Sequence, residues 1–211
     1  LDVPVTEWDE NSMPKYPPGY NHFNCEDTQL LKQPDVLMLA LMLPDLFDAD
    51  STRANFEYYE PRTLHKSSLS PAIHAIIGIE VGDTTRAQQY FDRSAFVDLR
   101  DNQGNTAEGM HIASAAGTWA VLVHGFGGLR VEHGRLSINP WVPTDWQAVR
   151  YRITWRGLHL AIEATREEVT ITATGESAES LDVTVHGQPV TVAAGSTVTT
   201  AAPATVGGST A

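Results

Sequence analysis

The hydrophobic pattern of this chain changes period once, near residue 128, and that switch restricts the fold more than any other feature. Before it, apolar residues fall at helical spacing in segments punctuated by proline and glycine. After it, they alternate with polar residues in short runs separated by glycine turns. Such segregation implies either two domains or a helical domain with a β domain packed on it.

Residues 1–23 carry Pro4, Pro14, Pro17, Pro18 and Gly19 and are expected to form a loop. Residues 26–31 predict a turn and a half of helix. Pro34 suits the first turn of the next helix, whose apolar run VLMLALML (36–43) ends before Pro44. That run is too short to span a bilayer and reads as a buried helix. Asp50 or Ser51 is expected to cap a helix over 53–59, stopped before Pro61. Ser70-Pro71 predicts a hydroxyl-capped helix start, with Ile73, Ile76, Ile77 and Ile79 continuing to Gly82. A further helix is expected over 84–99 with Ala87, Tyr90, Phe91, Ala95 and Phe96 inward, and another over 111–124, closely packed and ended by Gly125. Helices in antiparallel pairs suit a barrel or a bundle.

In the second part, residues 129–131 and 136–138 predict a hairpin about His133-Gly134. Residues 149–155 (VRYRITW) alternate as a half-buried strand does, and 158–164 with 168–173 form another pair. Residues 181–185 and 190–193, separated by HGQP, make a last hairpin. From Thr197 on the chain is small and polar and is expected to be disordered. The expected division is an N-terminal loop (1–23), a helical part (24–128), a β domain (129–196) and a tail (197–211).

A formal net charge of −12 repels phosphate backbones and offers no basic membrane face, so neither nucleic acid nor membrane is an expected partner. A hydrophobic content of 42% is that of a globular chain. Cys25 is the sole cysteine and has no internal disulfide partner, which points to the cytoplasm. The start has no signal-peptide pattern and no Met, as expected of a piece of a longer protein. No HExxH, CxxC or P-loop is present, and no metal or cofactor is expected.

Three polar stretches are candidates for chemistry. Lys32-Gln33 precede a helix, where they suit sugar hydroxyls or an anion, or a solvated helix start. The loop from Tyr59 to Ser70 is dense in hydroxyls and leads into a helix N-terminus, where an anion such as phosphate binds well; ordinary capping is the plainer alternative. His111 sits where a polar loop becomes an apolar helix and suits either a phosphate donor or a capping histidine. His74 lies among isoleucines and is expected to be a satisfied core residue.

Taken in order, these stretches resemble glycoside hydrolase family 65, the family of disaccharide phosphorylases. The resemblance rests on Lys32-Gln33-Pro34-Asp35-Val36. It rests equally on Asn55-Phe56, Tyr59-Glu60-Pro61, Thr63, His65 and Ser67 to Ser70, and on Glu108-Gly109-Met110-His111-Ile112-Ala113-Ser114-Ala115-Ala116-Gly117-Thr118-Trp119. Gly125 to Val131 and Leu136 to Pro140 extend it, so that it covers roughly residues 24–173.

The resemblance implies the C-terminal half of an (α/α)6 barrel followed by a small antiparallel β-sandwich. Lys32 and Gln33 would then bind the glucosyl unit, and Ser67, Ser68 and His111 would hold inorganic phosphate as co-substrate. Phosphate would attack the anomeric carbon of an α-linked glucose disaccharide with inversion, giving β-glucose 1-phosphate. The loop offers Ser67-Ser68 beside Lys66, which suits an anionic nucleophile. The general-acid glutamate of the family lies in a Pro-Asp-Glu-type motif upstream of the Lys-Gln segment. Pro34-Asp35 and Pro44-Asp45 are followed here by Val36 and Leu46, so no catalytic residue is expected in this chain and it is expected to be inactive alone. Two alternatives stay open: a hydrolase of trehalose or a related disaccharide, and a non-catalytic carbohydrate-binding remnant. Family members are often dimers, which makes a homodimer the expected form of the intact enzyme.

Overall fold

The computed structural model describes residues 2–9, 14–21, 23–65, 67–175 and 180–203. Two units divide between Gly125 and Phe126. Among the described residues the first holds five α-helices: α1 (Asp35–Met42), α2 (Ala49–Tyr59), α3 (Ser70–Val81), α4 (Thr84–Ala95) and α5 (Ile112–Ala120). The described residues of the second form eight strands: β1 (Leu129–Glu132), β2 (Arg135–Ile138), β3 (Val149–Trp155), β4 (Leu158–Ala164), β5 (Glu168–Thr174), β6 (Leu181–Val185), β7 (Gln188–Val192) and β8 (Thr197–Ala201).

Helix α3 is the centre of the first unit. Residues from Ser70 to Gly78 are all buried, as in a helix with neighbours on every side. Gly82 (φ 87°) ends it, and Asp83 accepts from the Arg86 amide to start α4, making a tight antiparallel pair. Leu37, Phe56, Ile73, Ile77 and Val81 pack together and join α1, α2 and α3.

Helix α5 runs beside α3 in the same direction. A Cβ on Gly117 would lie 2.7 Å from that of Ala72, and one on Gly125 would lie 3.0 Å from Ile79 Cδ1. The contact therefore advances along both segments together, and the N-termini of α3 and α5 share one end of the layer. Ser94 of α4 ties in α5 through its Oγ, 3.3 Å from Ser114 Oγ and 3.1 Å from Thr118 Oγ1.

Several expected helix details differ. Residues 26–31 form turns, because Leu31 instead bridges to Thr63 in extended conformation. Asp48, with extended backbone, caps α2 by accepting from the Ser51 amide at 2.7 Å, in place of Asp50 or Ser51. Ser70 is the first helical residue and not a cap; its hydroxyl faces His65. Helix α4 stops at Ala95, four residues short of the expected end. Arg93 and Ser94 are buried in it where Phe91, Ala95 and Phe96 are half-buried, since the Arg93 guanidinium reaches Asp9 at 3.0 Å. The helix of α5 passes Gly125 as a π-turn, Val121–Phe126.

In the second unit the strands form two four-stranded sheets, ordered β1-β2-β6-β7 and β3-β4-β5-β8. Each buries one face: Val149, Leu160, Ile162, Val169 and Ile171 in one, Leu136, Ile138, Val183 and Val185 in the other. The turns His133-Gly134, Arg156-Gly157 and His186-Gly187 all have positive φ at both residues, the geometry that matches the twist of a two-residue hairpin. The last turn is therefore His186-Gly187 alone. Gln188 and Pro189 begin β7, which lies at a sheet edge where a proline is tolerated.

Two expectations about this part are corrected. The sheets are not wholly antiparallel, since β2 and β6 pair in parallel. The chain leaves the first sheet after β2, builds β3 to β5, and returns, and that long connection is what a parallel pair requires. Nor is the chain disordered from Thr197, because Thr197–Ala201 is β8, paired with β5. The rest of the expected tail, residues 204–211, lies outside the described residues.

Candidate functional site

The bridge between Leu31 and Thr63 builds the site. The Leu31 amide donates to Arg62 O at 2.8 Å and the Leu64 amide to Leu31 O at 2.9 Å, so the Lys32-Gln33 segment lies beside the loop entering α3. Ser67 Oγ then donates to Gln33 Oε1 at 3.1 Å, joining two sequence motifs 34 residues apart. Ser67 is 7% exposed, and its Oγ also accepts from the Leu69 amide at 3.2 Å. Its one proton is directed at Gln33, which leaves Ser68, half-buried and with no hydrogen-bond partner among the described residues, as the hydroxyl open to an incoming group. Lys32 is exposed. Lys66 lies outside the described residues. A cavity of about 110 Å³ opens beside Gln33, lined by Leu31, Pro34, Leu37, Tyr59 and Thr63.

Behind the loop lies a buried polar cluster. His65 is fully buried with φ 49°, and its Nδ1 is 3.1 Å from Ser70 Oγ. His74 Nδ1 donates to Ser70 O at 2.9 Å, as facing a carbonyl requires. The two imidazoles meet edge-on at 4.5 Å, and the Tyr90 ring lies 4.5 Å from His65. The Tyr90 hydroxyl donates to Glu60, which also pairs with Arg86. Burial pulls both histidines down, His74 to about 4 and His65 well below the ordinary imidazole range. Both are therefore neutral near pH 7. Burial pushes Glu60 up, with the Tyr90 and Arg86 bonds opposing the shift. His74, expected to be satisfied, has its Nδ1 bonded, while the Nε2 atoms of both histidines lack a protein partner among the described residues.

His111 stands at the start of α5. Its amide donates to Asp98 Oδ2 at 2.8 Å and its Nδ1 to Asp98 Oδ1 at 2.5 Å. The bond from the imidazole holds the Asp98 carboxyl below the usual carboxylate range. Ser67-Ser68 and His111 thus precede two parallel helices at the same end of the unit, and no hydrogen bond among the described residues joins them directly. Two N-termini side by side favour negative charge there. Among the described residues no three His, Cys, Asp or Glu side chains are grouped to hold a metal.

Sequence reasoning did not name Asp98, and it gave no role in the site to Glu60, which stands in the resembling motif, or to Tyr90, expected only to face inward. Asp98 lies thirteen residues from His111 across an irregular loop, a spacing with no local signature. Glu60 and Tyr90 are joined only by the α2 and α4 packing around α3.

A helical unit with an anion-favouring end, followed by two sheets, defines a class that sequence comparison names. Residues 7–120 match the glycosyl hydrolase family 65 central catalytic domain and residues 129–192 the family 65 C-terminal domain. The chain belongs to glycosyl hydrolase family 65.

It is 52% identical over 171 residues to a kojibiose phosphorylase of Caldanaerobacter subterraneus subsp. tengcongensis, covering 81% of this chain and 22% of that protein. It is 47% identical over 192 residues to the kojibiose phosphorylase of Thermoanaerobacter brockii, covering 90% and 25%. The alpha,alpha-trehalose phosphorylase of the same organism is 40% identical, covering 71% and 19%. A solved structure provisionally assigned as a kojibiose phosphorylase from human microbiome superposes with a TM-score of 0.79 at 33% identity, covering 87% of this chain and 24% of that one. The chain thus spans a fifth to a quarter of the length of these relatives. Among the described residues no helix is long and apolar enough to cross a membrane.

Proposed function

We propose that this chain is the part of a longer family 65 disaccharide phosphorylase that carries the phosphate half of its reaction site. In this reading α1 to α5 belong to an (α/α)6 barrel and the two sheets form a sandwich. Lys32 and Gln33 meet the glucosyl unit, and Ser67, Ser68 and His111 hold inorganic phosphate. Phosphate attacks the anomeric carbon with inversion as the glycosidic C–O bond breaks, giving β-glucose 1-phosphate and the second sugar, whose leaving oxygen takes a proton from the general acid. The general acid, a glutamate, lies on the remainder of the protein.

The observation that carries this is the Ser67–Gln33 hydrogen bond, which couples the glucosyl-side motif to the anion-side loop. The chemistry agrees with it. A hydrolase that inverts needs a second carboxylate to activate water, whereas phosphate arrives as an anion and needs only donors that position it. Hydroxyls, an imidazole and two helix N-termini are such donors. The loop between His65 and Ser70 has no carboxylate to repel phosphate. Kojibiose is the first substrate to try, because the relatives at 52% and 47% identity bear that name. A cytoplasmic homodimer without metal or organic cofactor completes the proposal.

The test is to incubate the full-length protein with kojibiose, trehalose, maltose and nigerose, with and without phosphate. Glucose 1-phosphate formed from one of them only when phosphate is present is the expected result. Free glucose at equal rates in both conditions would move the function to hydrolysis.

A further inference from the structure

We infer that Asp98 is a positioning residue for the phosphate site, clamping His111 by ring and backbone so that Nε2 is the one imidazole atom left to meet the anion. The inference rests on the phosphate role proposed for His111.

The geometry is that of a two-point clamp. One carboxylate oxygen takes the ring Nδ1 at 2.5 Å and the other takes the amide of the same residue at 2.8 Å. A carboxylate of lowered pKa only accepts, so the proton on Nδ1 must face it. That leaves Nε2 for phosphate, as a donor when the ring is protonated and as an acceptor of a phosphate hydroxyl when it is neutral. The backbone bond also sets the entry of α5, whose own first residues supply no side-chain cap, much as a capping box reaches back to an N-cap amide. Asp98 follows α4, and α4 is bound to α5 by Ser94, Ser114 and Thr118, so the carboxylate has a rigid base. His111 is 17% exposed at its side chain, enough to present one edge. A free imidazole samples several rotamers, and a clamped one keeps its donor in place before the anion arrives.

The experiment is a double-mutant cycle on the full-length protein, reading the phosphate and disaccharide KM values and kcat of phosphorolysis for wild type, Asp98→Ala, His111→Ala and the double variant. Removing an interaction made to one co-substrate raises the KM for that co-substrate, so each single variant is expected to raise the phosphate KM on the order of tenfold with the disaccharide KM within about twofold. Because Asp98 acts through His111, the double variant is expected to match His111→Ala alone, within a factor of about two. Should Asp98→Ala prove unstable, Asp98→Asn keeps the volume and one acceptor and is expected to give a smaller rise of the same kind. Losses that multiply in the double variant, or an Asp98 change that leaves the phosphate KM untouched while His111→Ala raises it, overturn the clamp and leave the phosphate site standing. A His111→Ala variant with an unchanged phosphate KM overturns the phosphate role of His111 and the clamp with it.

Discussion

At the scale of single residues, the chain keeps a cluster of ionisable groups out of water beside its proposed anion site. His74 is fully buried with a pKa near 4, against 6.5 for an ordinary imidazole. Its folded form therefore refuses a proton that the unfolded chain accepts between those values. The stability it contributes is fully present above pH 6.5 and is lost as pH falls toward 4, with nothing further lost below. His65, lowered in the same direction, adds to the loss, and Glu60, raised by burial, opposes it. The unfolding free energy from urea titrations is expected to fall between pH 6.5 and 4 by an amount on the order of 3 kcal/mol for His74 alone. A replacement of His74 by a non-titrating residue is expected to flatten that slope, and a flat profile in the unsubstituted protein would contradict the assignment. The cluster was only partly legible in the sequence. Glu60, His65 and Ser67 to Ser70 stand in one motif, but Tyr90 and Arg86 reach it from α4 through packing that no local spacing encodes.

At the scale of elements, legibility followed period and punctuation. Strands β3 and β4 alternate cleanly and lie at their expected bounds, and the His133-Gly134 turn is marked by its glycine. What sequence reasoning missed is non-local. The parallel pairing of β2 with β6 depends on a return after three intervening strands, and α5 passes Gly125 because its glycines pack against α3 instead of ending the helix. Strand β8 was hidden by its composition. Its threonines face Thr170 and Thr172 of β5 at 3.0 Å each, a cross-strand use of a residue with high β-propensity that polarity alone conceals. The expected consequence is that deleting residues 197–211 lowers stability by about 1–3 kcal/mol, because it bares the edge of β5 and removes half-buried Val198 from it. Thermal melting of the truncated and intact proteins checks this, and an unchanged midpoint would restore the view of that segment as a dispensable tail.

At the scale of the whole molecule, the helical unit leaves apolar side chains uncovered. Met42 on α1 is 66% exposed, and Ile112 and Trp119 on α5 are 67% and 56% exposed. Helices apolar on more than their inward face suit further helices packed outside them, as the proposed barrel supplies. The order of motifs made the family legible, while the assembly of its site was not: only the bridge at Leu31 and the parallel course of α3 and α5 bring Gln33, Ser67, Ser68 and His111 to one end. Phosphate is proposed at this end, where the Ser68 hydroxyl has no hydrogen-bond partner among the described residues. The most direct measurement is the phosphate KM of Ser68→Ala in the full-length protein. A rise of about tenfold or more is expected, with the disaccharide KM within about twofold, the pattern of an interaction made to phosphate alone. An unchanged phosphate KM, or an equal rise in both, would contradict it.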